Sequence, residues 1–312
     1  MSLLPSSNFR GLYLAKQQFN RTYKHPSVTS RPVREGRLRG SLYTPAGPGP
    51  FPVVLDLFGT AGGLIETRAA LLASHGFMTL ALAYFAYEDL QTHLDRIDLD
   101  YFEEGLNYLL KQPNAIKSGA GMVGVSKGAE IALMMSEFMP QLTAIVSING
   151  LYFRSTNRVY YKEEELPIFL PDYGRMSMPD NAMYLIDCFD NLTKMDEKCI
   201  IKVEKSNAQF LLIASENDGQ CPPLTTERCA DRLKAAGKEA NYEYLLCKGA
   251  GHLLEAPHSP FCYASYHSKF GCSFLWGGAK IAHTRAQEMA WPKILNFLRE
   301  SLDPAGTVTS KL

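Results

Sequence analysis

A sharp turn between a predicted strand and a predicted helix constrains the fold of this chain more than any other feature. The apolar run Gly121–Val125 leads into Gly124-Val125-Ser126-Lys127-Gly128, and a helical pattern continues over Ala129–Phe138. The glycines at 124 and 128 leave room for a strained turn and for a close approach of helix and strand. This arrangement predicts a serine that stands clear of the sheet edge, at the start of a helix.

Short apolar runs alternate with helical patterns from about residue 50 to the end of the chain. Strands that are buried on both faces and separated by helices predict a doubly wound, mostly parallel sheet of the α/β class. Pro292 predicts a kink or a fresh start in the last helix. The predicted strands cover residues 52–57, 77–84, 121–125, 143–148, 209–214 and 241–247, and the predicted helices cover 66–74, 101–110, 129–138 and 284–302.

The composition excludes several classes of function. Among 312 residues, Lys and Arg together number 32, as do Asp and Glu, so no basic excess indicates a nucleic-acid partner. No apolar run reaches the roughly 18 to 20 residues of a membrane span. All seven cysteines lie from Cys188 onward and none has Cys-x-x-Cys spacing, which predicts neither a disulfide framework nor a zinc site and favours a reducing compartment.

Two segments fall outside the alternation of strands and helices. Residues 1–45 are too short for a domain, and the proline-rich stretch 45–52 is typical of a stiff linker. Residues 150–208 form a long insertion between two strands, and such insertions are usually lids or pocket walls, although a packed surface subdomain is the alternative. The insertion is rich in aromatic residues and methionine, with Tyr152, Phe153, Tyr160, Tyr161, Phe169, Tyr173, Met176 and Met178.

A serine nucleophile needs a base to take its proton and a third group to orient that base. Asp218 follows the strand over residues 209–214, and Glu216 in the same loop is the alternative acid. His252 follows the last strand within Gly249-Ala250-Gly251-His252, a loop able to reach back towards Ser126. The other histidines considered do not fit this order, namely His75, His93, His258, His267 and His283.

An oxyanion hole needs two N–H donors that point to the place where negative charge develops. One candidate is the backbone N–H of Lys127, the residue after the serine. We expect the side chain of Lys127 to be solvated, or at most an electrostatic helper. The other is Gly59 or Thr60, in the glycine-rich loop after the strand over residues 52–57. This loop lacks the pattern of a phosphate-binding loop.

These residues and several further segments together make the chain resemble a known family. The chain order serine, acid, histidine is that of α/β-hydrolases, and the whole resembles the type I acyl-CoA thioesterases and the related bile acid-CoA:amino acid N-acyltransferases from about residue 30 to 300. The segments that carry the resemblance are Val33–Arg37, Asp56–Gly59, Gly62–Leu64, Leu80–Tyr84, Tyr101–Glu104, Val146–Gly150, Gly251-His252, Trp276–Gly278 and Ala286–Glu288.

The resemblance implies an α/β-hydrolase fold and hydrolysis of a fatty acyl-CoA without metal or cofactor. It implies Ser126 as nucleophile, Asp218 as acid and His252 as base. The amino acid conjugating branch uses a cysteine nucleophile, so Ser126 favours hydrolysis over transfer to an amino acid. The alternatives are such a transferase and a truncated, non-catalytic isoform that binds acyl-CoA or a partner chain.

The resemblance also implies a domain division and two departures from the family. Residues 1–45 are expected to be the remnant of an N-terminal β-sandwich, 46–302 the catalytic domain, and 303–312 a flexible tail. The resemblance thus implies that only about 45 residues of that sandwich remain, which would bear on stability and on the acyl-CoA site. Gly219-Gln220-Cys221 replaces the family's usual stretch after the acid, and is expected to reshape the pocket.

Both ends of the chain suggest a location. Residues 1–34 hold six basic residues and no acidic one, a composition found in mitochondrial transit peptides. Ser310-Lys311-Leu312 is the tripeptide read by the peroxisomal import receptor. Peroxisome is therefore the expected location, with mitochondrion or cytosol as alternatives.

Overall fold

An eight-stranded, mostly parallel sheet forms the centre of the protein. The computed structural model describes residues 22–303 and residue 306. The strand order is β1-β2-β4-β3-β6-β7-β11-β12. β2 is antiparallel to both of its neighbours, and the six strands from β4 to β12 run parallel. The strands are β1 (Thr29–Val33), β2 (Arg39–Thr44), β3 (Phe51–Leu57), β4 (Met78–Ala83), β6 (Ala115–Val125), β7 (Leu142–Ile148), β11 (Gln209–Ser215) and β12 (Tyr242–Cys247).

Within residues 22–303, five α-helices cover the two faces of this sheet. Helices α1 and α5 pack on one face, and α2, α3 and α4 pack on the other. This arrangement confirms the doubly wound architecture. The last helix is continuous through Pro292, so the predicted fresh start there is wrong. The helices are α1 (Thr67–Ser74), α2 (Leu99–Leu110), α3 (Lys127–Phe138), α4 (Pro223–Ala235) and α5 (Lys280–Leu302).

The central strands form because their sequences are apolar on both faces. Every residue of β3 and β4 is buried, and β7 and β11 are buried at all but one position each. Strands rich in Val, Ile and Leu suit a parallel sheet that helices cover on both sides. The carboxyl ends of the six parallel strands therefore meet at one edge, where loops carry the candidate site.

The structure corrects the predicted boundary at residue 45. Strands β1 and β2 are the first two strands of the large sheet, since β2 pairs along β4 from Arg39 to Tyr43. Residues 29–44 are therefore part of the α/β unit, and the division into 1–45 and 46–302 is wrong there. Residues 45–50 of the proline-rich stretch form the loop between β2 and β3, and residues 51–52 begin β3, so the stretch is not an interdomain linker. The sequence pattern did not identify β1 as a strand of the large sheet, because four of its five residues are exposed.

The segment between β7 and β11 forms two small sheets with neighbouring loops. Order β5-β8-β9 gives one sheet and β10-β14-β13 the other. The small strands are β5 (Arg96–Asp98), β8 (Arg158–Tyr161), β9 (Glu164–Leu166), β10 (Ala182–Met183), β13 (Ala264–His267) and β14 (Cys272–Leu275), and short 3₁₀ helices lie at Tyr173–Arg175, Pro179–Asn181, Ile186–Phe189, Leu192–Lys194, Glu197–Cys199, Val203–Lys205 and Glu239–Asn241.

Two further observations concern the chain as a whole. Within residues 22–303 no helix has both the length and the apolar character needed to cross a bilayer. Residues 1–21 and the tripeptide Ser310-Lys311-Leu312 lie outside the described residues.

Candidate active site

Ser126 stands on a strained turn between β6 and α3. Its backbone has φ 56° and ψ −124°, a region that L-residues rarely occupy. The N–H of Ser126 donates to the carbonyl of Ile148 at 2.9 Å, and its own carbonyl accepts from Ala129 and Glu130, which begins the helix. These hydrogen bonds stabilise the strained backbone conformation, and the side chain of Ser126 remains partly accessible.

The two flanking glycines are required by close backbone contacts. A Cβ at position 124 would lie 2.2 Å from the carbonyl oxygen of Gly128. A Cβ at position 128 would lie 2.5 Å from the carbonyl oxygen of Phe58. The turn therefore excludes any side chain at either position, as its glycine pattern predicted.

Asp218 and His252 form a buried pair beside the serine. Asp218 Oδ2 lies 2.7 Å from His252 Nδ1, and both residues are almost fully buried. The other oxygen, Oδ1, accepts from the backbone N–H groups of Gln220 at 2.7 Å and Cys221 at 2.9 Å. These two bonds fix the carboxylate plane, which directs Oδ2 at the imidazole. His252 and Ser126 line the same cavity walls.

Three residues that the sequence analysis did not assign to the site hold the loop of His252. Asn149 donates from Nδ2 to the carbonyl of His252 at 2.7 Å, and Trp276 stacks on the imidazole with rings 11° apart. His283 Nδ1 accepts from the N–H of Gly251, and its Nε2 donates to the carbonyl of Leu253, each at 3.1 Å. This pattern fixes a neutral tautomer of His283, consistent with burial that lowers its pKa.

The alternative acid, Glu216, lies apart from the pair. Its side chain is exposed, and Oε2 accepts from the N–H of Gly249 at 2.9 Å. It thereby stabilises the turn that precedes His252 without contacting the imidazole. Asp218, and not Glu216, is therefore the carboxylate that contacts His252.

The loop after β3 lies directly against Ser126. A Cβ on Gly59 would approach Ser126 Cβ to 2.9 Å, so only glycine allows this approach. The Tyr84 hydroxyl lies 2.7 Å from the carbonyl of Phe58 and 2.9 Å from that of Gly59. Among hydrogen bonds of the described residues, none uses the backbone N–H of Lys127 or Thr60. Both donors are therefore available to a ligand.

The side chain of Lys127 is buried, so the expectation that it is solvated is wrong. Nζ contacts Glu130 Oε2 at 2.8 Å, Ser155 Oγ at 2.9 Å and the carbonyl of Ser155 at 3.0 Å. Glu130 in turn accepts from the N–H and the hydroxyl of Ser155, each at 2.8 Å. The burial is possible because the insertion brings these partners onto the first turn of α3. The cluster joins the insertion to helix α3, which begins directly after Ser126.

Two cavities meet at Ser126. The larger has a volume of about 520 Å³ and the smaller about 190 Å³. Ser126, His252, Thr60 and Trp276 line both. Apolar residues that line the larger cavity are Phe85, Leu151, Pro171, Tyr173, Met176, Met183, Leu185, Phe189 and Phe274.

The insertion supplies much of the larger cavity, as a pocket wall was expected to do. Of the eight aromatic and methionine residues noted in the sequence, Tyr173 and Met176 line it. Phe153 and Phe169 pack edge to face in a separate small core instead. Gln220 and Cys221 from the stretch after Asp218 also line the cavity, which places that departure from the family at the pocket. Burial raises the pKa of the Cys221 thiol, so this thiol is held protonated.

The fold of the chain is of the α/β-hydrolase type. An acylaminoacyl peptidase from Pyrococcus horikoshii superposes with a TM-score of 0.59 at 15% identity, over 88% of this chain and 42% of that one. A dienelactone hydrolase-like phosphotriesterase from metagenomic libraries gives 0.54 at 19% identity, over 88% of this chain and 99% of its own. These similarities confirm the predicted fold class.

Sequence comparison gives the family within this fold. Residues 97–304 match the family model described as BAAT / Acyl-CoA thioester hydrolase C terminal. The chain belongs to this family, which confirms the resemblance that its motifs indicated.

Individual relatives of the chain carry both activities in their names. The rat acyl-coenzyme A amino acid N-acyltransferase 2 is 43% identical over 94% of this chain and 70% of its own length. The mouse peroxisomal succinyl-coenzyme A thioesterase is 38% identical over 94% and 70%. The human mitochondrial acyl-coenzyme A thioesterase 2 is 38% identical over 97% and 63%.

Proposed function

We propose that the protein hydrolyses fatty acyl-CoA thioesters to a free fatty acid and CoA through an acyl-enzyme on Ser126. The observation that carries the proposal is the buried Asp218–His252 pair, 2.7 Å apart, beside a serine on a strained turn. An apolar cavity of about 520 Å³ opens at that serine. Its size falls within the range of small-molecule sites and its lining suits a fatty acyl chain.

The acylation step uses His252 as general base. Nδ1–H of His252 donates to Asp218, which leaves Nε2 free to accept the proton of Ser126 Oγ. Oγ attacks the thioester carbonyl, and the negative charge on its oxygen is held by the N–H of Lys127 and by that of Gly59 or Thr60. The C–S bond then breaks, and His252 gives the proton from Ser126 to the departing thiolate, which returns the imidazole to its neutral form. A thiol with an ordinary pKa near 8.5 leaves with less protonation than an amine requires.

The deacylation step reuses the same groups. His252 takes a proton from water, the water oxygen attacks the ester carbonyl, and the proton is returned to Ser126 Oγ as the fatty acid departs. An ester on serine is normally resolved by water. Ser126 therefore supports hydrolysis, whereas a thioester on cysteine stays reactive towards amines.

Transfer to an amino acid is the second candidate. The observation that favours it is the 43% identity to the rat N-acyltransferase, against 38% to the two thioesterases named above. A non-catalytic protein that binds acyl-CoA is the third. The conjugating branch that the chain resembles uses a cysteine nucleophile. This chain has Ser126 at that position, which distinguishes it from that branch.

One assay separates the three candidates. The protein is incubated with palmitoyl-CoA, with and without glycine or taurine, while free thiol and acyl products are followed. We expect thiol release that needs no amino acid and is lost in Ser126→Ala but kept in Ser136→Ala. Ser136 is a matched control, since this buried serine on the same helix donates only to the carbonyl of Leu133. Amide as sole product would establish transfer, and no turnover by a folded protein would favour the third candidate.

We include peroxisomal import in the proposal. One relative is named as peroxisomal and another as mitochondrial. The tripeptide Ser310-Lys311-Leu312 favours the peroxisome. A fluorescent protein fused ahead of the chain should enter peroxisomes, and deletion of the tripeptide should leave it in the cytosol. Mitochondrial immunostaining of the protein with its N-terminus left free would contradict this assignment.

A further inference from the structure

The two cavities that meet at Ser126 have mostly different walls, since nine of the thirteen residues that line the smaller one do not line the larger. A thioester carbonyl carries an acyl chain on one side and sulfur on the other, and the attacking serine lies between them. If the large apolar cavity takes the acyl chain, the sulfur side must occupy the other space. The smaller cavity of about 190 Å³ is the one available, and Ser126 and His252 line it as well.

His267 lines this smaller cavity and carries a buried polar atom that is not hydrogen-bonded within the described residues. The residue is 6% exposed, and its Nε2 lies 3.3 Å from Thr60 Oγ1. Its Nδ1 is buried and has no hydrogen-bond partner among the residues that the structure describes. A buried polar atom without a partner is destabilising unless a ligand satisfies it. Burial also lowers the pKa of His267, so the ring is neutral at neutral pH.

We propose that the smaller cavity binds the pantetheine arm of the CoA leaving group, with His267 Nδ1 hydrogen-bonded to one of its amides. This inference rests on the proposed function. An amide offers both an N–H donor and a carbonyl acceptor, so either neutral tautomer of His267 finds a partner in it. The outer wall includes Tyr266, which is 67% exposed, and the exposed Ser268. The cavity thus leads from the serine to solvent, where the nucleotide end of CoA lies.

The test compares three palmitoyl thioesters that differ only in the thiol. These are palmitoyl-CoA, palmitoyl-pantetheine and the ethanethiol thioester, which has no amide. His267→Phe keeps an aromatic ring against Phe270 and Phe274 but removes both nitrogens. We expect this variant to raise KM about fivefold for palmitoyl-CoA and palmitoyl-pantetheine, which corresponds to the loss of one hydrogen bond. The kcat for these two substrates and the KM for the ethanethiol thioester should stay unchanged. Ser268→Phe, which narrows the cavity from its rim, should show the same selectivity.

A matched control and a binding measurement keep this inference separate from the proposed function. His75→Phe changes a half-buried histidine that packs on Trp291, and all three substrates should behave as in the unaltered protein. If the unaltered protein turns over no thioester, the proposed function fails. Calorimetric binding of palmitoyl-pantetheine, weakened by His267→Phe, would then still support the cavity assignment, and binding unaffected by the change would overturn it.

Three kinetic outcomes would overturn the inference even where turnover is normal. An equal rise in KM for the ethanethiol thioester would show that His267 does not contact the arm. A fall in kcat for all three substrates would show that it positions the loop of Thr60 instead. An effect confined to amide formation with added glycine would make the cavity an acceptor site.

Discussion

Exchange of Asp218 for asparagine should leave the fold intact and remove the activity. Oδ1 of Asp218 accepts two backbone N–H groups, and only Oδ2 faces His252. Asparagine can keep its single oxygen in the first position, which places its NH₂ group 2.7 Å from Nδ1. The amide NH₂ group can only donate, so Nδ1 of His252 must accept a hydrogen bond from it. The proton of the imidazole therefore moves to Nε2. His252 can no longer take a proton from Ser126.

The magnitude follows from this tautomer change. The corresponding exchange in the Ser-His-Asp triad of a serine protease lowers kcat about 10⁴-fold, which is about 5.4 kcal/mol of activation free energy. We expect a loss of this order in kcat with palmitoyl-CoA and little change in KM. The free energy of unfolding should change by no more than about 1 kcal/mol, because all hydrogen bonds are retained.

The assay measures thiol release and denaturant unfolding on the same preparations. Glu216→Gln is the matched control, since it alters the other acid of the same loop, which contacts Gly249 and not His252. This control should keep nearly full kcat. An Asp218→Asn variant that retains more than a tenth of the activity, or a Glu216→Gln variant that loses it, would refute the assignment.

Three further predictions concern the supports of the site. Lys127→Met leaves the buried carboxylate of Glu130 without its ion-pair partner and should lower the free energy of unfolding by about 3–5 kcal/mol in denaturant titrations. Lys127→Met combined with Glu130→Met should recover much of this loss. Equal losses in the single and the double variant would contradict a coupled pair. Burial lowers the pKa of His283 below its ordinary 6.5, so its contribution to the free energy of unfolding is complete above pH 6.5 and declines as the pH falls towards the folded-state pKa. His283→Gln should flatten this part of the profile of unfolding free energy against pH. An unchanged profile would show that His283 does not cause the decline. Leu185→Trp fills the large cavity and should raise KM for palmitoyl-CoA more than for a short acyl-CoA, while equal effects would place the acyl chain elsewhere.

Local pattern predicted the parallel strands and the order of the three candidate residues. The β3, β4 and β11 runs are apolar on both faces, and that property alone identifies a buried parallel strand. Ser126, Asp218 and His252 follow the parallel strands β6, β11 and β12, so their meeting at one sheet edge follows from topology. The glycines at 124 and 128 gave the turn its geometry.

Contacts between distant parts of the chain were beyond the sequence. β1 is mostly exposed and joins the sheet only through β2, so its pattern resembled an outlying segment. Lys127 is buried because Ser155, 28 residues later, reaches its ammonium group. His283 reached the loop of His252 from the last helix. Asn149 had one usable signal, a polar side chain directly after a buried parallel strand.

The central claim is that Ser126 carries the acyl group. Its most direct test is rapid acid quenching of the protein during turnover of palmitoyl-CoA, followed by tryptic digestion and mass spectrometry. We predict a palmitoyl group on the peptide of residues 118–127, located at Ser126 and absent from the Ser126→Ala variant. Turnover that leaves this peptide unmodified while another, such as the one with Cys221, becomes acylated would contradict the mechanism.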